Sequence, residues 1–190
     1  MSFLRSPFAP DLPPLLRGSR VSLRTPEMSD HQDWAELRMK SREFLMPWEP
    51  LWPSNDMTRT AFRHRIRQYH RDIADDLSYP FFIFAGGQRT LVGALTLSNV
   101  RRGVAQMATL GYWIGAPHAR QGYMTDAVRT VLPFAFDHLS LHRVEAACLP
   151  HNQASIALLQ KTGFELEGRA RNYLKINGQW RDHLLFGRLR

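Results

Sequence analysis

The sequence predicts an α/β (α+β) domain in which helices flank one mixed central β-sheet, all within a single folded unit. Three observations predict it. Between Gln106 and Phe164 the strand and helix periodicities alternate as strand, loop, helix, strand, helix, strand. Strands joined through a helix run parallel, whereas Asn177-Gly178 between two strand-like runs marks an antiparallel hairpin, so the sheet is mixed. A chain of 190 residues with 44% hydrophobic content is the right size for one core.

The elements follow in order. Residues 1–17 are proline-rich and read as a flexible leader, leaving 18–190 as the domain, with Arg20 to Arg24 alternating like a first strand. Ser29 with Gln32 fits a capping box, and Trp34, Leu37, Phe44 and Leu45 recur at helical spacing until Pro47. A second helix starts near Thr58, with Phe62, Ile66, Tyr69 and Ile73 on one stripe and Arg59, Arg63, Arg67 and Arg71 on what reads as a solvated face. Pro80 to Phe84 and the run through Leu91, Gly93, Leu95 and Leu97 form a hairpin about Gly86-Gly87.

Gln106 to Ile114 is a strand, Gly115 to Gly122 a loop, and Met124 to Leu139 a helix that Pro133 should kink. Val144, Ala146 and Cys148 alternate as a strand; Asn152 to Thr162 is a helix stopped by Gly163. Tyr173 to Ile176 and Gln179 to Phe186 close the domain as a hairpin.

Composition excludes several classes. Cys148 is the only cysteine, so no intramolecular disulfide forms and a cytoplasmic home is expected. No apolar run approaches the roughly 18 residues of a membrane helix, so no membrane partner is expected. The formal charge of +8 and a pI of 10.4 favour an anionic partner. No nucleic-acid module accompanies that charge, so no specific nucleic acid is expected. His138 and His142 lie four apart but have no HExxH pattern or acidic third ligand, so no metal is expected. Cys148 reads as a small buried hydrophobe, and Trp48, Trp52, Trp113 and Tyr173 as core or as the lining of a substrate slot.

The segment Leu110 to Val128 ends a strand, turns through glycine and opens a helix. Unpaired backbone N–H groups and the positive helix end converge there, and Gly122 lets the main chain approach a pyrophosphate. Neither the lysine and hydroxyl of a Walker loop nor the glycines of a dinucleotide fingerprint are present. An ordinary strand-to-helix turn is the alternative.

Gly111-Tyr-Trp-Ile114, Ala119-Arg-Gln-Gly-Tyr-Met124, His142-Arg-Val-Glu-Ala146, Asn152-Gln-Ala-Ser155 and Lys161-Thr-Gly-Phe164 together resemble the GNAT superfamily, specifically its RimJ/RimL-type protein N-acetyltransferases. Trp48-Glu-Pro-Leu-Trp-Pro53 and Asn177-Gly-Gln-Trp-Arg-Asp182 add to the likeness, which spans Arg20 to Leu189. The resemblance implies the GNAT fold, acetyl-coenzyme A as donor, and a protein or peptide N-terminus as acceptor, with ribosomal proteins among the candidates. It implies that the loop residues Arg120, Gln121, Gly122, Tyr123, Met124 and Thr125 hold the cofactor's pyrophosphate. Trp113 and Ile114 would pair with the pantetheine arm as an added strand, and Asn152 would bond its amides. Ala119 and Met124 depart from the loop pattern Gln/Arg-x-x-Gly-x-Gly/Ala; the main chain does most of the holding, so the site is weakened less than the match. Asn152 also fits an ordinary N-cap, and both roles are compatible.

The reaction needs a neutral amine, a donor for the developing oxyanion and a proton for the leaving thiolate. The superfamily's usual base position is occupied by Thr109 and its usual acid position by Leu159. The resemblance suggests Ser155 as acid, the alternative being a backbone-bonded helix serine. Glu145 is the candidate base, unless it only pairs with Arg143 or Arg171, and Glu49 is a further candidate. An α-amine, with a pKa of about 8 against about 10.4 for lysine, is neutral on the order of hundreds of times more often at pH 7, which suits an enzyme with a weak base. Two other readings remain at this point: acetylation of a small amine such as an antibiotic or polyamine, and a non-enzymatic basic RNA- or ribosome-binding domain. A monomer and a homodimer are equally compatible with the sequence.

Overall fold

The computed structural model describes residues 12–86 and 90–190. Eight strands form one sheet: β1 Leu16–Arg17, β2 Val21–Arg24, β3 Tyr79–Ala85, β4 Thr90–Arg101, β5 Met107–Ile114, β6 Arg143–Cys148, β7 Glu165–Ile176 and β8 Gln179–Leu189. Their spatial order is β1-β2-β3-β4-β5-β6-β8-β7. Every neighbouring pair is antiparallel except β5 and β6. The mixed sheet is therefore as expected, with its parallel pair where a helix makes the crossover.

The helices are α1 His31–Lys40, α2 Arg42–Leu45, α3 Arg59–Ala74, α4 Tyr123–Pro133 and α5 Gln153–Lys161. On one sheet face Trp34, Leu37, Phe62 and Ile66 of α1 and α3 bury Phe82, Phe84, Leu91 and Ala94. On the other, Ala127, Val128 and Val131 of α4 and Leu159 of α5 bury Phe81, Ile83, Val92, Ala108 and Val144. Strand β3 feeds both layers because successive side chains point to opposite faces.

Several boundaries differ from expectation for local reasons. Leu16 and Arg17, at the end of the expected leader, pair with Leu23 and Ser22 of β2; residues 1–11 and Gly87 of the Gly86-Gly87 turn lie outside the described residues. The first helix is entered two residues earlier than Ser29, where the Glu27 N–H donates to the Asp30 carboxylate at 2.7 Å and a short 3₁₀ turn precedes α1. It also breaks at Ser41 rather than running to Pro47. Pro133 is the last residue of the α-helix, and the stretch expected to run on to Leu139 continues past it only as a π turn. Having no N–H to give, Pro133 is followed by the five residues of this turn, Phe134 to His138, closed by the Leu139 N–H donating to the Phe134 carbonyl at 2.9 Å.

Two helix boundaries match the sequence pattern closely. Thr58 caps α3 by accepting from the Ala61 N–H at 3.2 Å. Gly163, at φ +82°, follows α5 in a Schellman arrangement in which the Phe164 N–H returns to the Leu159 carbonyl at 3.0 Å.

The feature that makes a site is where β5 and β6 part. They pair only at Met107, Ala108 and Thr109 against Arg143, Val144 and Glu145. Beyond that, β5 follows β4 to Ile114 while β6 follows β8 to Cys148. The carboxyl ends of the two parallel strands thus diverge into a crevice, the position at which open α/β sheets take ligands.

Candidate active site

A cavity of about 810 Å³ occupies this crevice. One wall is Tyr112, Trp113 and Ile114 of β5, whose edge facing β6 has no strand partner at these positions. The floor is the loop and first turn of α4, through Arg120, Gly122, Tyr123, Met124 and Thr125. The opposite wall is the start of α5, with Asn152 and Ser155, and Glu49 closes one side.

The loop is shaped by its backbone. Arg120 has φ +60° and Gly122 φ +83°, so the chain turns twice through left-handed conformations before α4 begins. No side chain caps α4, and its first internal bond runs from the Asp126 N–H to the Gly122 carbonyl at 3.1 Å. The preceding N–H groups at Tyr123, Met124 and Thr125 therefore open on the cavity as donors for an anion. A Cβ at Gly122 would stand 3.2 Å from the Arg20 guanidinium, which donates to the Gln121 carbonyl at 2.5 Å and lies 4.8 Å from the Tyr123 ring centre. Ser41, fully buried, accepts from the Ala116 N–H at 2.9 Å and ties the loop to α1.

On the other wall, the Asn152 side chain accepts from the Ser155 N–H at 3.1 Å, so the N-cap role is real, and Asn152 lines the cavity as well. The Ser155 and Tyr112 hydroxyls are 2.5 Å apart. Burial pushes the Tyr112 phenol well above its usual range, so it stays protonated at neutral pH. Burial also raises the Cys148 thiol, which neighbours Ser155. His118, lining the loop side, is held toward its neutral form by burial.

Glu49 sits in a fixed frame. Its carboxylate accepts from both terminal nitrogens of Arg38 at 2.8 and 2.7 Å and from the Trp52 indole at 2.7 Å. Arg38 is only 7% exposed and lies against the Trp52 and Trp113 rings at 3.9 and 4.9 Å. The Glu49 carbonyl accepts from the Asn177 N–H at 2.9 Å, joining this loop to the β7–β8 turn.

The structure brings together Trp113, Ile114, Arg120, Gly122, Tyr123, Met124, Thr125, Asn152 and Ser155. Two of the expected residues stand apart from them. Gln121 turns its side chain to the Pro117 carbonyl at 2.9 Å and gives only backbone to the loop. Glu145 is not among the lining residues; it accepts from Arg143 at 2.9 Å, and Arg143 also grips Glu167, so the structural alternative for Glu145 is the one observed. Sequence reasoning passed over Tyr112, Arg38 and His118. Arg38 was detectable as a cation four residues after Trp34 on the apolar stripe of α1.

The chain as a whole is similar to known proteins. The family model of the Acetyltransferase (GNAT) domain matches residues 20–165. The chain belongs to the GNAT family. The Bacillus subtilis protein named "Probable N-acetyltransferase YjcK" is 36% identical over 169 residues, covering 89% of this chain and 93% of that one. The Escherichia coli [ribosomal protein uS5]-alanine N-acetyltransferase is 33% identical over 158 residues, covering 82% and 81%. The solved structure of Mycobacterium smegmatis RimJ in complex with CoA-disulfide superposes with a TM-score of 0.86 at 32% identity, over 95% of this chain and 88% of that one. The chain is thus a GNAT N-acetyltransferase with RimJ/RimL-type relatives. No helix among the described residues is long and apolar enough to cross a membrane.

Proposed function

We propose that this GNAT N-acetyltransferase transfers acetyl from acetyl-coenzyme A to the α-amine of a polypeptide N-terminus, with ribosomal proteins as the acceptor class. The single observation that carries the reading is one cavity holding an anion-receptive helix start, an unpaired β5 edge and the Tyr112–Ser155 hydroxyl pair. That set fits the parts of the donor: the open N–H groups of Tyr123, Met124 and Thr125, with Arg120 and Lys161 nearby, suit a pyrophosphate. The β5 edge at Trp113 and Ile114 suits the amide-bearing arm, and Asn152 offers it a side-chain amide.

Acetyl-coenzyme A supplies the thioester carbonyl carbon that accepts the amine. The chain's own residues manage the two protons. When Tyr112 donates to the Ser155 oxygen, the Ser155 proton passes to the sulfur as the C–S bond breaks, the Tyr112 proton refills Ser155, and solvent returns a proton to Tyr112 once the thiol has left. The proton of the attacking nitrogen passes to Glu49 or to a water it holds. A carboxylate offers about four lone pairs, and three donors occupy Glu49, leaving one open on Oε1. Glu145, tied to Arg143, is left out of this scheme.

A polypeptide acceptor is favoured over a small amine by the rim. Phe44, Met46, Leu51 and Trp180 expose apolar surface around α2 and the β7–β8 turn, with Leu51 3.2 Å from the Cβ position of Gly178. The reading is tested by thiol release from acetyl-coenzyme A with free α-amine peptides, N-blocked lysine peptides and polyamines in matched reactions. Release confined to free N-termini is expected; equal rates with blocked lysine peptides or polyamines would overturn it.

A further inference from the structure

Helix α3 carries Arg59, Arg63, Arg67 and Arg71 at four-residue intervals, and all four are exposed. At about 1.5 Å of rise per residue they form a ridge about 18 Å long with steps of about 6 Å. His64 and His70 share that sector. The helix's one carboxylate, Asp72, lies on another flank and accepts from Gln68 at 2.6 Å. The stripe of Phe62, Ile66 and Ile73, roughly 100° round the helix from the middle of the ridge, is buried on the sheet, while the four arginines stand exposed.

The neighbouring Arg65 shows what an arginine that serves the fold looks like: it pairs with Asp56 and lies 5.0 Å from the Trp34 ring centre. Among the described residues Arg59, Arg63 and Arg67 have no ion pair, and Arg71 donates only to the neutral Gln68 oxygen at 2.5 Å. Like charges at this spacing repel and weaken a helix. The stripe therefore costs the free protein stability, and among the described residues its one side-chain bond is that of Arg71 to Gln68.

We infer that this ridge docks on the phosphate backbone of double-stranded RNA. The row of guanidinium forks winds about 40° round the helix at each step, as a duplex backbone also winds, and each fork is able to hold two phosphate oxygens. A lipid surface fits less well, because every large apolar residue of α3 is turned to the sheet or to its flank and none stands on the ridge to enter a bilayer. The contact reads charge and not bases, so it needs no recognition module. The choice of RNA over another polyanion rests on the proposed ribosomal acceptor. The geometry suits it: α3 and α1 pack side by side through Phe62 and Trp34, 4.9 Å apart, and α1 also carries Arg38 of the Glu49 frame.

The test is binding of a fluorescent 20-base-pair RNA duplex of arbitrary sequence, measured from 50 to 200 mM salt, to the full chain and to two variants. One variant converts Arg59, Arg63, Arg67 and Arg71 to Gln; the other removes the same charge elsewhere by converting Arg17, Arg171, Lys175 and Arg181 to Gln. Wild type should show a log–log salt slope of about −3 to −4, and the ridge variant a slope shallower by about 3 with affinity reduced at least ~10-fold. The second variant should keep the slope within about 1 of wild type. Equal losses in both variants, or no RNA binding by wild type, overturns the inference, as does preference for phosphatidylserine vesicles or polyglutamate over the duplex. Circular dichroism and peptide acetylation of the ridge variant should match wild type, so that a failed RNA result is told apart from a failed acetyltransferase reading.

Discussion

Tyr112 and Ser155, 43 positions apart in the chain, place their hydroxyl oxygens 2.5 Å from each other across the mouth of the β5–β6 crevice. The tyrosine is kept protonated by burial and the serine is fixed through its own N–H to Asn152. The pair therefore shares one hydrogen bond and keeps one hydroxyl proton uncommitted beside the cavity that both residues line.

Ser155→Ala should lower kcat by about 10²-fold, the usual scale for losing a positioned acid, with KM for acetyl-coenzyme A nearly unchanged. Tyr112→Phe should lower kcat less, by about 5- to 10-fold, because it acts through Ser155. A thioester whose leaving thiol has a lower pKa should rescue both. Failure of that donor to rescue Ser155→Ala, in steady-state kinetics, would remove the acid role.

Gly122→Val should raise KM for acetyl-coenzyme A at least ~10-fold while the protein stays folded. At φ +83° a β-branched residue is strained, and its side chain would enter the space beside Arg20. Isothermal titration with coenzyme A reads the loss directly. Affinity unchanged in a variant with a native circular dichroism spectrum would refute the loop assignment.

Arg38→Ala should destabilise the protein by about 3 kcal/mol, since it strands the mostly buried Glu49 carboxylate without its bidentate partner. Arg38→Lys should recover less than half of this, because an ammonium cannot span both oxygens or lie flat on Trp52 and Trp113. Glu49→Gln should cost less stability but lower kcat/KM for peptide without changing coenzyme A affinity. Urea denaturation and peptide kinetics separate the two effects.

The particular residues show why the sequence was readable in some places and not in others. Gly122, between a strand and a helix, carries its meaning in three neighbouring segments, and Asn177-Gly178 at φ +44° and +78° demands its turn locally. Glu145 was ambiguous because alternation fixes a face but not a partner; Arg143, two residues earlier, shares that face and takes the carboxylate. Tyr112 and Ser155 meet only because β5 leaves β6 after Thr109, a consequence of β8 and β4 drawing the two strands apart that no local pattern records. The short 3₁₀ turn before α1 was likewise hidden: Glu27 and Asp30 have the spacing of a cap, but Ser29 and Gln32 have it too.

Asp126, in the first turn of α4, accepts from the N–H groups of Ser19, Arg20 and Val21 at 3.3, 2.7 and 3.1 Å and from the Ser19 hydroxyl at 2.9 Å, pinning the β1–β2 turn to the helix that floors the cavity. Its partial burial alone would raise its pKa, but these bonds, led by the one from Arg20, outweigh burial and hold it below the usual carboxylate value. A depressed folded-state pKa means that this stabilisation is present in full above the unfolded value of about 3.9 and is lost as pH falls through the folded pKa. Asp126→Asn removes the ionisation, so the variant should have a lower Tm than wild type at pH 7. The gap should narrow as pH is lowered below about 4, when wild type protonates too. The group is only partly buried, so solvent screening keeps the effect modest. A gap in Tm that stays constant from pH 7 to pH 3, by differential scanning fluorimetry, would show that the carboxylate's charge does not hold the turn.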